Sequence, residues 1–422
     1  MPDQIKSVRG MPVILPKDIK KWQFVEATAR SLLQLYSYSE IRTPVVERSE
    51  LFQRTIGKET DIVAKEMYTF QDRKEQSLSL RPEATAGIVR AGIEEGLFYN
   101  QNQKFWSIGP MYRYERPQKG RYRQFHQINI EAFGFPGPDI DAEIILLTTR
   151  IWKALNLNSL KLEINSLGTP KSRHIHRKEL QDYFDSHKGD LDEDSLRRLD
   201  RNPMRILDSK NPDLQDIIEL APKTIDFLDQ ESSEHFQALE AILQEHAIEY
   251  TLNARLVRGL DYYTRTVFEW TTDQLGAQAT VCGGGRYDEL ISELGGQATP
   301  AIGCAIGLER LIELVDLLDQ NQQNDPPKIY IVAVSAQAEG QGLILAEELR
   351  DTYPNFSIEM NLGGGSFKQQ FKRADKAGAD IALIIGEDEI ANNTVGIKSM
   401  QSGDQQKSVK RKDLLDRINQ LL

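Results

Sequence analysis

The sequence predicts an α+β domain with an antiparallel sheet, a helical insertion within that domain, and a C-terminal α/β domain with a βαβ, mixed or parallel sheet. Three observations predict this fold class. The pattern over 103–134 is that of a β-hairpin with a long basic loop. Residues from about 168 to 250 are helical, polar and acidic, and strand-like sequence resumes at Thr266. Strand and helix patterns alternate after residue 328.

The length of the chain also predicts more than one domain. It has 422 residues, whereas a single domain commonly holds roughly 100–200. The predicted boundaries are 1–320 for the first domain, 321–327 for a linker and 328–422 for the second domain. The linker is polar and ends in two prolines, a composition typical of a connection between domains.

The first domain begins with a predicted amphipathic helix over 17–37, where apolar side chains recur at helical spacing. A short strand over 39–43 follows and ends at Pro44. A second helix is predicted to begin at Arg81, because Pro82 would then occupy the first helical position, which suits proline.

The second domain shows the alternation that parallel sheets require. Its predicted strands and helices follow one another in the order strand 329–334, helix 343–350, strand 356–360, helix 367–376 and strand 381–385. Parallel strands are joined by crossover helices, so this order predicts a small α/β domain with a parallel sheet.

The composition excludes several classes of protein. Cys282 and Cys304 are too far apart in sequence for a CxxC metal motif, and the six histidines show no metal-ligand spacing, so we expect no metal held by protein side chains. We expect no membrane association, because the chain has neither a signal peptide nor an apolar run of about 20 residues. Two cysteines and no disulfide framework fit a reducing, cytoplasmic compartment.

The charge is unevenly distributed along the chain. The formal net charge of −11 argues against a surface that binds nucleic acid throughout. Residues 171–250 hold 11 basic against 19 acidic residues, whereas residues 113–123 hold five basic residues and one acidic residue. The basic loop therefore remains a candidate contact for an anion such as ATP, or for a local stretch of RNA.

The hairpin is the first candidate site. Arg113 and Glu115 share one face of its first arm. Gln127, Asn129 and Glu131 share a face of the other arm, because strand side chains alternate, and the apolar residues between them face the opposite side. One interpretation is an antiparallel sheet with its polar face in water. The other is a polar binding surface.

The loop of the hairpin favours the second interpretation. Arg113 and the loop arginines Arg116, Arg121 and Arg123 are interleaved with aromatic residues such as Phe125. Guanidinium groups form forked hydrogen bonds to phosphate, and aromatic rings offer a stacking face. The combination suits a nucleotide.

A second candidate site is the segment 303–310, where a strand leads into a helix. Arg310 lies in the first turn of that helix, where the helix dipole favours anions over cations. A bound phosphate would compensate for this misfit, and a surface arginine in an ordinary helix is the alternative. The chain has no Walker-type glycine loop, so it is not a P-loop enzyme.

A third group of candidates lies in the segments 257–269 and 282–289. Arg258 precedes a glycine at a predicted bend, with Tyr262 and Tyr263 close by as hydroxyl donors or as core residues. The three glycines after Cys282 predict either a turn or a backbone that lies against a ligand.

Three polar side chains remain with two interpretations each. Glu83 and Thr85 fall in the predicted first helical turn, where an acid either complements the helix dipole or binds a ligand. His126 points to the apolar side of the hairpin, so we predict a hydrogen-bonded core histidine rather than a catalytic base.

Taken in order, these segments resemble class II aminoacyl-tRNA synthetases. The unit that ends at Pro44 resembles motif 1, the segment 112–125 resembles motif 2, and the segment 307–310 resembles motif 3. Two segments strongly resemble motifs of the histidyl-tRNA synthetase branch in its bacterial form, namely 258–269 and 283–288. Further segments similar to that family are 9–16, 80–85, 202–210 and 363–375, so the resemblance covers essentially the whole chain.

The resemblance implies how ATP binds. Arg113 would contact the α-phosphate, and Arg121 would help to hold the pyrophosphate portion. Phe125 would stack on adenine, with Arg310 packed on the other side near the γ-phosphate. Mg²⁺ is expected together with ATP.

The resemblance also implies the contacts of L-histidine. The residues around it would be Glu83, Ala84, Thr85, Arg113, Gln127, Glu131, Arg258, Tyr262 and Tyr263. Glu131 and Tyr263 would contact the imidazole, and Arg258 would bridge the histidine carboxylate and the α-phosphate. The catalytic residues that the resemblance implies are Arg113, Gln127 and Arg258.

The remaining expectations concern RNA and assembly. Arg116, Gln118 and Arg123 would meet the acceptor end of tRNA(His), and the C-terminal domain would bind the anticodon. Motif 1 forms the dimer interface in this class, so a homodimer is expected. The first domain, 1–320, would be catalytic.

The sequence departs from the family pattern at two positions. Val13 stands where the family more often has Asp, and Cys304 stands where a larger apolar residue is common. A catalytically silent regulatory subunit of ATP phosphoribosyltransferase is the main alternative, and a synthetase for another amino acid is the second. Such regulatory subunits typically lose active-site residues and the C-terminal domain, both of which this chain keeps.

Overall fold

The structure is a computed structural model that describes residues 4–57, 60–207, 209, 211–276, 280–318, 326–400 and 405–421. The chain forms two compact units, Met1–Gln320 and Asn321–Leu422. Most of the predicted linker, 321–325, lies outside the described residues.

The first unit contains eleven described strands and ten described α-helices. The strands are β1 (Ser39–Glu40), β2 (Val46–Arg48), β3 (Thr69–Gln71), β4 (Ser77–Leu80), β5 (Gln103–Tyr112), β6 (Gln124–Phe133), β7 (Lys161–Ser166), β8 (Thr251–Leu252), β9 (Thr264–Thr271), β10 (Thr280–Arg286) and β11 (Ala301–Gly307). The helices are α1 (Pro16–Leu35), α2 (Ser49–Thr55), α3 (Thr85–Glu94), α4 (Pro138–Ala154), α5 (Pro170–Ser186), α6 (Glu193–Arg201), α7 (Gln215–Glu219), α8 (Gln230–Glu245), α9 (Leu290–Glu293) and α10 (Leu308–Leu317).

Eight of these strands form the main sheet, in the order β1-β5-β6-β11-β10-β9-β7-β8. The six central strands pair antiparallel, and only the edge pairs β1/β5 and β7/β8 are parallel. The predicted hairpin is confirmed, with β5 and β6 paired from Gln103 opposite Phe133 to Tyr112 opposite Gln124. The strands β2, β4 and β3 form a separate small antiparallel sheet.

Both faces of the main sheet are covered. On one face, apolar residues of β6 such as Ile128 and Ile130 pack in a core with side chains of α1, α4, α8 and α10. On the other face, Asn129 and Glu131 are each only 1 % exposed. The interpretation of the hairpin as a sheet with its polar face in water is therefore wrong.

The segment that we predicted as a helical insertion is helical from α5 onward. Its part formed by α5 and the residues up to Ile218 packs through Leu180, Phe184 and Met204 in one cluster with sheet residues such as Phe133 and Val267. Its last helix, α8, packs through Phe236 and Leu239 in the core on the other face of the sheet. Both parts of the acidic stretch thus support the sheet directly.

One local prediction, and one of the two interpretations of the glycines after Cys282, are wrong. Helix α3 begins at Thr85 and not at Arg81. The Glu83 carboxylate accepts the N–H groups of Thr85 and Ala86, at 2.7 and 2.9 Å, and these bonds favour a helix start after Glu83. The glycines after Cys282 form the strand β10 and not a turn.

The described elements of the second unit are β12 (Lys328–Ala333), α11 (Ala336–Thr352), β13 (Ser357–Met360), α12 (Phe367–Lys376), β14 (Ile381–Ile385), α13 (Glu387–Asn392), β15 (Thr394–Ser399), β16 (Lys407–Lys410) and α14 (Leu414–Leu421). The strands form a mixed five-stranded sheet, in the order β13-β12-β14-β15-β16. The first three strands are parallel, as predicted, and two antiparallel strands that the sequence reasoning missed extend the sheet. None of the described helices could span a membrane.

Candidate active site

A cavity of about 410 Å³ lies on the face of the main sheet that carries the polar side chains of β6. It brings together most of the residues that the sequence had singled out, namely Glu83, Thr85, Arg113, Arg121, Phe125, Gln127, Arg258, Tyr262, Tyr263 and Arg310. These residues come from four separate segments of the chain, at 83–85, 113–127, 258–263 and 310. The antiparallel sheet is therefore the element that assembles them.

Glu131 lies just behind the wall of this cavity. Its Oε1 accepts a hydrogen bond from the Thr85 hydroxyl at 2.6 Å, and its Oε2 accepts one from the Tyr287 hydroxyl. Burial raises the pKa of Glu131 to about 8, although both hydroxyl donors act to lower it. Glu131 has room at this position because the opposing residue of β11 is Gly303, where a Cβ atom would overlap the carboxylate.

The start of helix α3 forms a second polar wall. Glu83 is buried, and its burial raises the pKa of the carboxyl group although the N–H groups of Ala86 and Thr85 act to lower it. Ala84, which is also buried, lies between Glu83 and Thr85 and is the N-cap residue of α3. On the neighbouring strand β6, the Gln127 Oε1 and the Asn129 Nδ2 are buried and have no hydrogen-bond partner among the described residues. A polar ligand could satisfy both atoms.

Arg258 enters the cavity from the segment before β9. It forms an ion pair with Glu269, whose second oxygen accepts from the Thr280 hydroxyl at 2.9 Å. Burial alone would lower the pKa of Arg258, but the Glu269 carboxylate raises it overall. The guanidinium fits against β10 because Gly283 has no side chain, and a Cβ there would lie 2.6 Å from Nη1.

Two tyrosines complete this side of the cavity. The rings of Tyr262 and Tyr263 are 4.6 Å apart, each residue is 5 % exposed, and both line the cavity. Burial raises the pKa of Tyr263 to about 12, so its hydroxyl stays protonated and can donate a hydrogen bond. The two tyrosines are thus buried residues that also line the cavity.

The opposite end of the cavity is cationic and aromatic. The Arg113 Cζ lies 5.2 Å from the centroid of the Phe125 ring, and its Nε donates to the Pro82 carbonyl at 2.9 Å. Arg310 donates to the carbonyls of Gly120, at 3.1 Å, and of Thr280. An aromatic face flanked by arginines is what a purine nucleotide with its phosphates requires.

The basic loop between β5 and β6 is held by its own side chains. Arg121 forms an ion pair with the buried Glu115. Arg123 stacks over the Tyr114 ring at 3.8 Å and donates from its Nε to the Glu115 carbonyl at 3.1 Å. Arg116 and Gln118 are exposed, and neither they nor Arg123 line the cavity. These three face the surface beside the site.

The prediction that the His126 side chain is hydrogen-bonded within the protein is confirmed. The His126 Nδ1 lies 2.9 Å from the Glu309 Oε1, its backbone N–H donates to the same carboxylate, and its ring packs edge-on against Trp22. His126 is therefore a hydrogen-bonded packing residue. Across the described residues, no group of three or more His, Cys, Asp or Glu side chains is arranged to hold a metal ion.

Sequence reasoning missed the residues that act through others. Tyr287 and Glu269 lie in segments that the sequence had singled out, but no role was predicted for either residue. The contacts of Tyr287 with Glu131 and of Glu269 with Arg258 could not be predicted from local spacing. For Glu269 the strand alternation of β9 offered a signal, because it points to the same face as other cavity residues. For Tyr287 the only signal was its place directly after β10.

The six-stranded antiparallel centre, with a hairpin that carries Arg113 and Phe125 and a strand–helix unit that carries Arg310, defines the class II aminoacyl-tRNA synthetase fold. Residues 10–311 match the sequence model described as histidyl-tRNA synthetase, and residues 328–421 match the one described as anticodon binding domain. The chain belongs to the histidyl-tRNA synthetase family.

Solved structures agree with this assignment. The apo histidyl-tRNA synthetase of S. aureus is 34% identical, with a TM-score of 0.81 over 98% of this chain and 99% of that chain. A histidyl-tRNA synthetase from Nostoc sp. is 21% identical, with a TM-score of 0.67 over 99% of both chains. A Bacillus halodurans protein described as an ATP phosphoribosyltransferase regulatory subunit/histidyl-tRNA synthetase is 20% identical, with a TM-score of 0.64 over 88% of this chain and 97% of that chain. These last two share the fold.

Proposed function

We propose that this protein is a histidine–tRNA ligase. It would activate L-histidine with ATP to histidyl-adenylate and pyrophosphate, and then transfer histidine to the 3′ end of tRNA(His). The observation that carries the proposal is that two arginines, Arg113 and Arg258, line one cavity between an aromatic, cationic end and a polar end. That arrangement suits a reaction between a nucleotide and a zwitterionic amino acid.

The first step needs charge compensation more than proton transfer. A carboxylate oxygen of histidine attacks the α-phosphorus of ATP, an O–P bond forms, and the bond to pyrophosphate breaks. Both reactants are anionic, so fixed cations that lie against the α-phosphate lower the barrier. Arg113 and Arg258 supply these cations, Arg121 and Arg310 hold the outer phosphates, and Phe125 stacks on adenine.

Mg²⁺ would accompany ATP and help to neutralise its phosphates. Mg²⁺ commonly binds through one or two carboxylates together with substrate phosphates and water. Glu115 and Glu269 line the cavity and would be suited to bind the ion through their carboxylate oxygens. Glu115 also pairs with Arg121, and Glu269 also pairs with Arg258.

Histidine would be recognised at the polar end. Glu83, Thr85 and Gln127 would hold the α-amino group, with the backbone at Ala84 beside them. Glu131 would accept the imidazole N–H, Tyr263 would contact the ring, and Tyr262 would line the pocket. A site whose buried groups depend on such hydrogen bonds rejects shape analogues that cannot make them by about 10⁴-fold or more.

The second step transfers histidine to RNA. A terminal ribose hydroxyl attacks the carbonyl carbon of the mixed anhydride, the ester bond forms and AMP leaves. Arg116, Gln118 and Arg123, which lie in the loop beside the cavity, would contact the acceptor end. The second unit would bind the anticodon, and we propose that the enzyme acts as a homodimer in the cytoplasm.

The decisive experiment is ATP–pyrophosphate exchange measured with each amino acid in turn. We expect exchange with histidine alone and its loss, by about 10²-fold or more, in Arg258→Ala. Arg255→Ala is the matched control, because Arg255 is exposed and pairs with Glu219 away from the cavity. Folded protein that shows no exchange with any amino acid would favour the regulatory-subunit alternative.

A further inference from the structure

Tyr287 is a buried tyrosine that directly follows β10 and has no role in the reaction described above. It is 1 % exposed, and its hydroxyl donates to the Glu131 Oε2. Its ring lies edge-on against Phe133 and Tyr262, with centroids 6.3 and 5.6 Å away. The hydroxyl is therefore aimed at the carboxylate by packing on two sides.

The residues on either side of Tyr287 fix its backbone. The fully buried Arg286 donates from Nε to Asp141 at 2.8 Å and from Nη1 to Asp288 at 3.0 Å. The Tyr287 N–H itself donates to the Ala301 carbonyl at 2.8 Å. A side chain on such a backbone has little freedom to turn away from Glu131.

Glu131 sits in a site where its charge needs support. The titratable groups that face it are the Glu83 carboxyl group, the hydroxyls of Tyr38, Tyr262, Tyr263 and Tyr287, and the Cys304 thiol. Burial and the Glu83 carboxylate raise the pKa of Glu131, and the hydroxyls of Thr85 and Tyr287 lower it. The two hydroxyls are thus what favours the charged form.

We propose that Tyr287 is a positioning residue for histidine recognition: its hydroxyl fixes one oxygen of Glu131 and stabilises the charged carboxylate, so that Glu131 can accept the imidazole N–H of the substrate. Thr85 fixes the other oxygen in the same way. Each carboxylate oxygen keeps a further lone pair for the ring. The inference rests on the proposed function.

The inference predicts a specific pH effect. Histidine binding improves as pH rises through the pKa of Glu131, because only the ionised carboxylate is a full acceptor. Tyr287→Phe removes a donor to the charged form, so the pKa of Glu131 rises and the improvement moves to higher pH. Near neutral pH the KM for histidine should rise by about ten-fold or more, while the KM for ATP and kcat at saturating histidine stay unchanged.

The test measures the KM for histidine in ATP–pyrophosphate exchange from about pH 6 to about pH 9.5, a range that brackets carboxyl and imidazole titration. The matched control is Tyr250→Phe, which removes a surface hydroxyl that donates to Glu240 at 3.1 Å. A Tyr287→Phe enzyme with an unchanged KM and pH profile overturns the inference and leaves the proposed function intact. Wild-type enzyme without histidine-dependent exchange would instead contradict the proposed function.

A second variant keeps the test decisive if Tyr287→Phe folds poorly. Replacement of Tyr287 by a ring-fluorinated tyrosine retains the ring and the hydroxyl and makes the hydroxyl a stronger donor. The pH midpoint for histidine binding should then move down. A midpoint that stays in place, or moves up, overturns the inference, because a residue that only packs would not respond to the acidity of its hydroxyl.

Discussion

Two buried carboxyl groups, Glu83 and Glu131, share Thr85 as a neighbour but are held in different ways. Glu83 accepts backbone N–H groups at the start of α3, which are fixed by the helix. Glu131 accepts two side-chain hydroxyls, of Thr85 and Tyr287. Both carboxylates are thus held by donors of the protein, Glu83 by the backbone at a helix start and Glu131 by two packed side chains.

The charge of Glu131 gives the first prediction. Glu131→Gln keeps the size of the side chain and removes its charge, so the KM for histidine should rise by about 10- to 100-fold and lose its dependence on pH near pH 8. The measurement is the exchange assay at several pH values. Glu240→Gln, at the surface of α8, is the control, and an equal effect of both variants would contradict a role for Glu131.

The close contact at Gly283 gives the second prediction. In Gly283→Ala the new Cβ would lie 2.6 Å from the Arg258 Nη1, so Arg258 must move from its place beside Glu269. We expect exchange activity to fall by about 10²-fold, since misplacement of a catalytic group by an ångström can cost that much. Gly340→Ala in helix α11 is the control, because nothing lies within 4 Å of its Cβ. Wild-type activity of Gly283→Ala would show that the guanidinium position is not critical.

At the scale of elements, the helical segment after β7 holds the segment that carries Arg258 and the tyrosines. The Arg173 Nη1, on α5, donates to the carbonyls of Asp261 and Tyr263 at 3.1 and 2.5 Å. The Arg205 Nη2 donates to the Gly259 carbonyl at 2.6 Å. Three alternate carbonyls of one segment are thus bound by two arginines. The acidic stretch therefore supports the cavity despite its net charge.

This contact gives the third prediction. In Arg205→Ala the Gly259 carbonyl loses its charged donor, so the segment behind Arg258 loosens, and exchange in the absence of tRNA should fall by about 10-fold or more. Arg197→Ala is the control on the same helical segment, because Arg197 is exposed and pairs with Asp194 within helix α6. An effect on tRNA charging without any effect on exchange would contradict the supporting role.

The start of helix α8 gives the fourth prediction. Asp229 caps the helix by accepting the Ser232 N–H at 2.9 Å, and it accepts the hydroxyls of Ser172 and Thr169 at 2.7 and 2.8 Å. Burial alone would raise the pKa of Asp229, but these donors lower it overall. Asp229→Ala should lower the free energy of unfolding by about 1–3 kcal/mol in denaturant titrations.

The same carboxylate contributes an acid-sensitive part of the stability. Since its folded-state pKa is lower than the unfolded value of about 3.9, the stabilisation is present at neutral pH and disappears as the pH falls through that value and below. The difference in the free energy of unfolding between wild type and Asp229→Ala should therefore become smaller as the pH falls. Asp182→Ala, at an exposed position of α5, is the control, and a difference that stays constant with pH would contradict this account.

At the scale of the whole molecule, each unit has a hydrophobic core of its own. The core of the second unit is formed by strands β12 to β15 with helices α11 and α14, and includes Ile331, Leu345, Leu383, Ile397 and Ile418. All of the described residues that line the cavity belong to the first unit. The proposed activation of histidine and the proposed binding of the anticodon would therefore belong to separately packed parts of the chain.

The fifth prediction follows from that separation. A protein that ends at residue 320 should keep histidine-dependent exchange within about two- to three-fold, because the described residues that line the cavity all precede residue 320, and it should lose most tRNA charging. The full-length chain, assayed in both reactions, is the control. Loss of both activities from a folded first unit would contradict the assignment.

Local pattern in the sequence was enough to predict many of the elements. Alternation along β6 placed Gln127 and Glu131 on one face, and strand and helix patterns gave β12 to β14 of the second unit with α11 and α12. Local pattern failed at α3 and at β10. A proline in a plausible first turn could not reveal that the helix begins only at Thr85, where the Glu83 carboxylate accepts backbone N–H groups, and three glycines resemble a turn unless neighbouring strands are known.

The sequence by itself determined the periodicities, the polar and aromatic residue types of the site, and their resemblance to one family, since these depend on neighbours in the chain. Only the tertiary structure decided which side chains meet. Tyr287 and Glu131 are 156 residues apart, Arg205 and Gly259 are 54 apart, and Thr85 and Glu131 are 46 apart. Such pairs arise when helices, strands and loops from distant parts of the chain pack together around one sheet, and burial there raises the pKa of Glu131, which spacing alone cannot express.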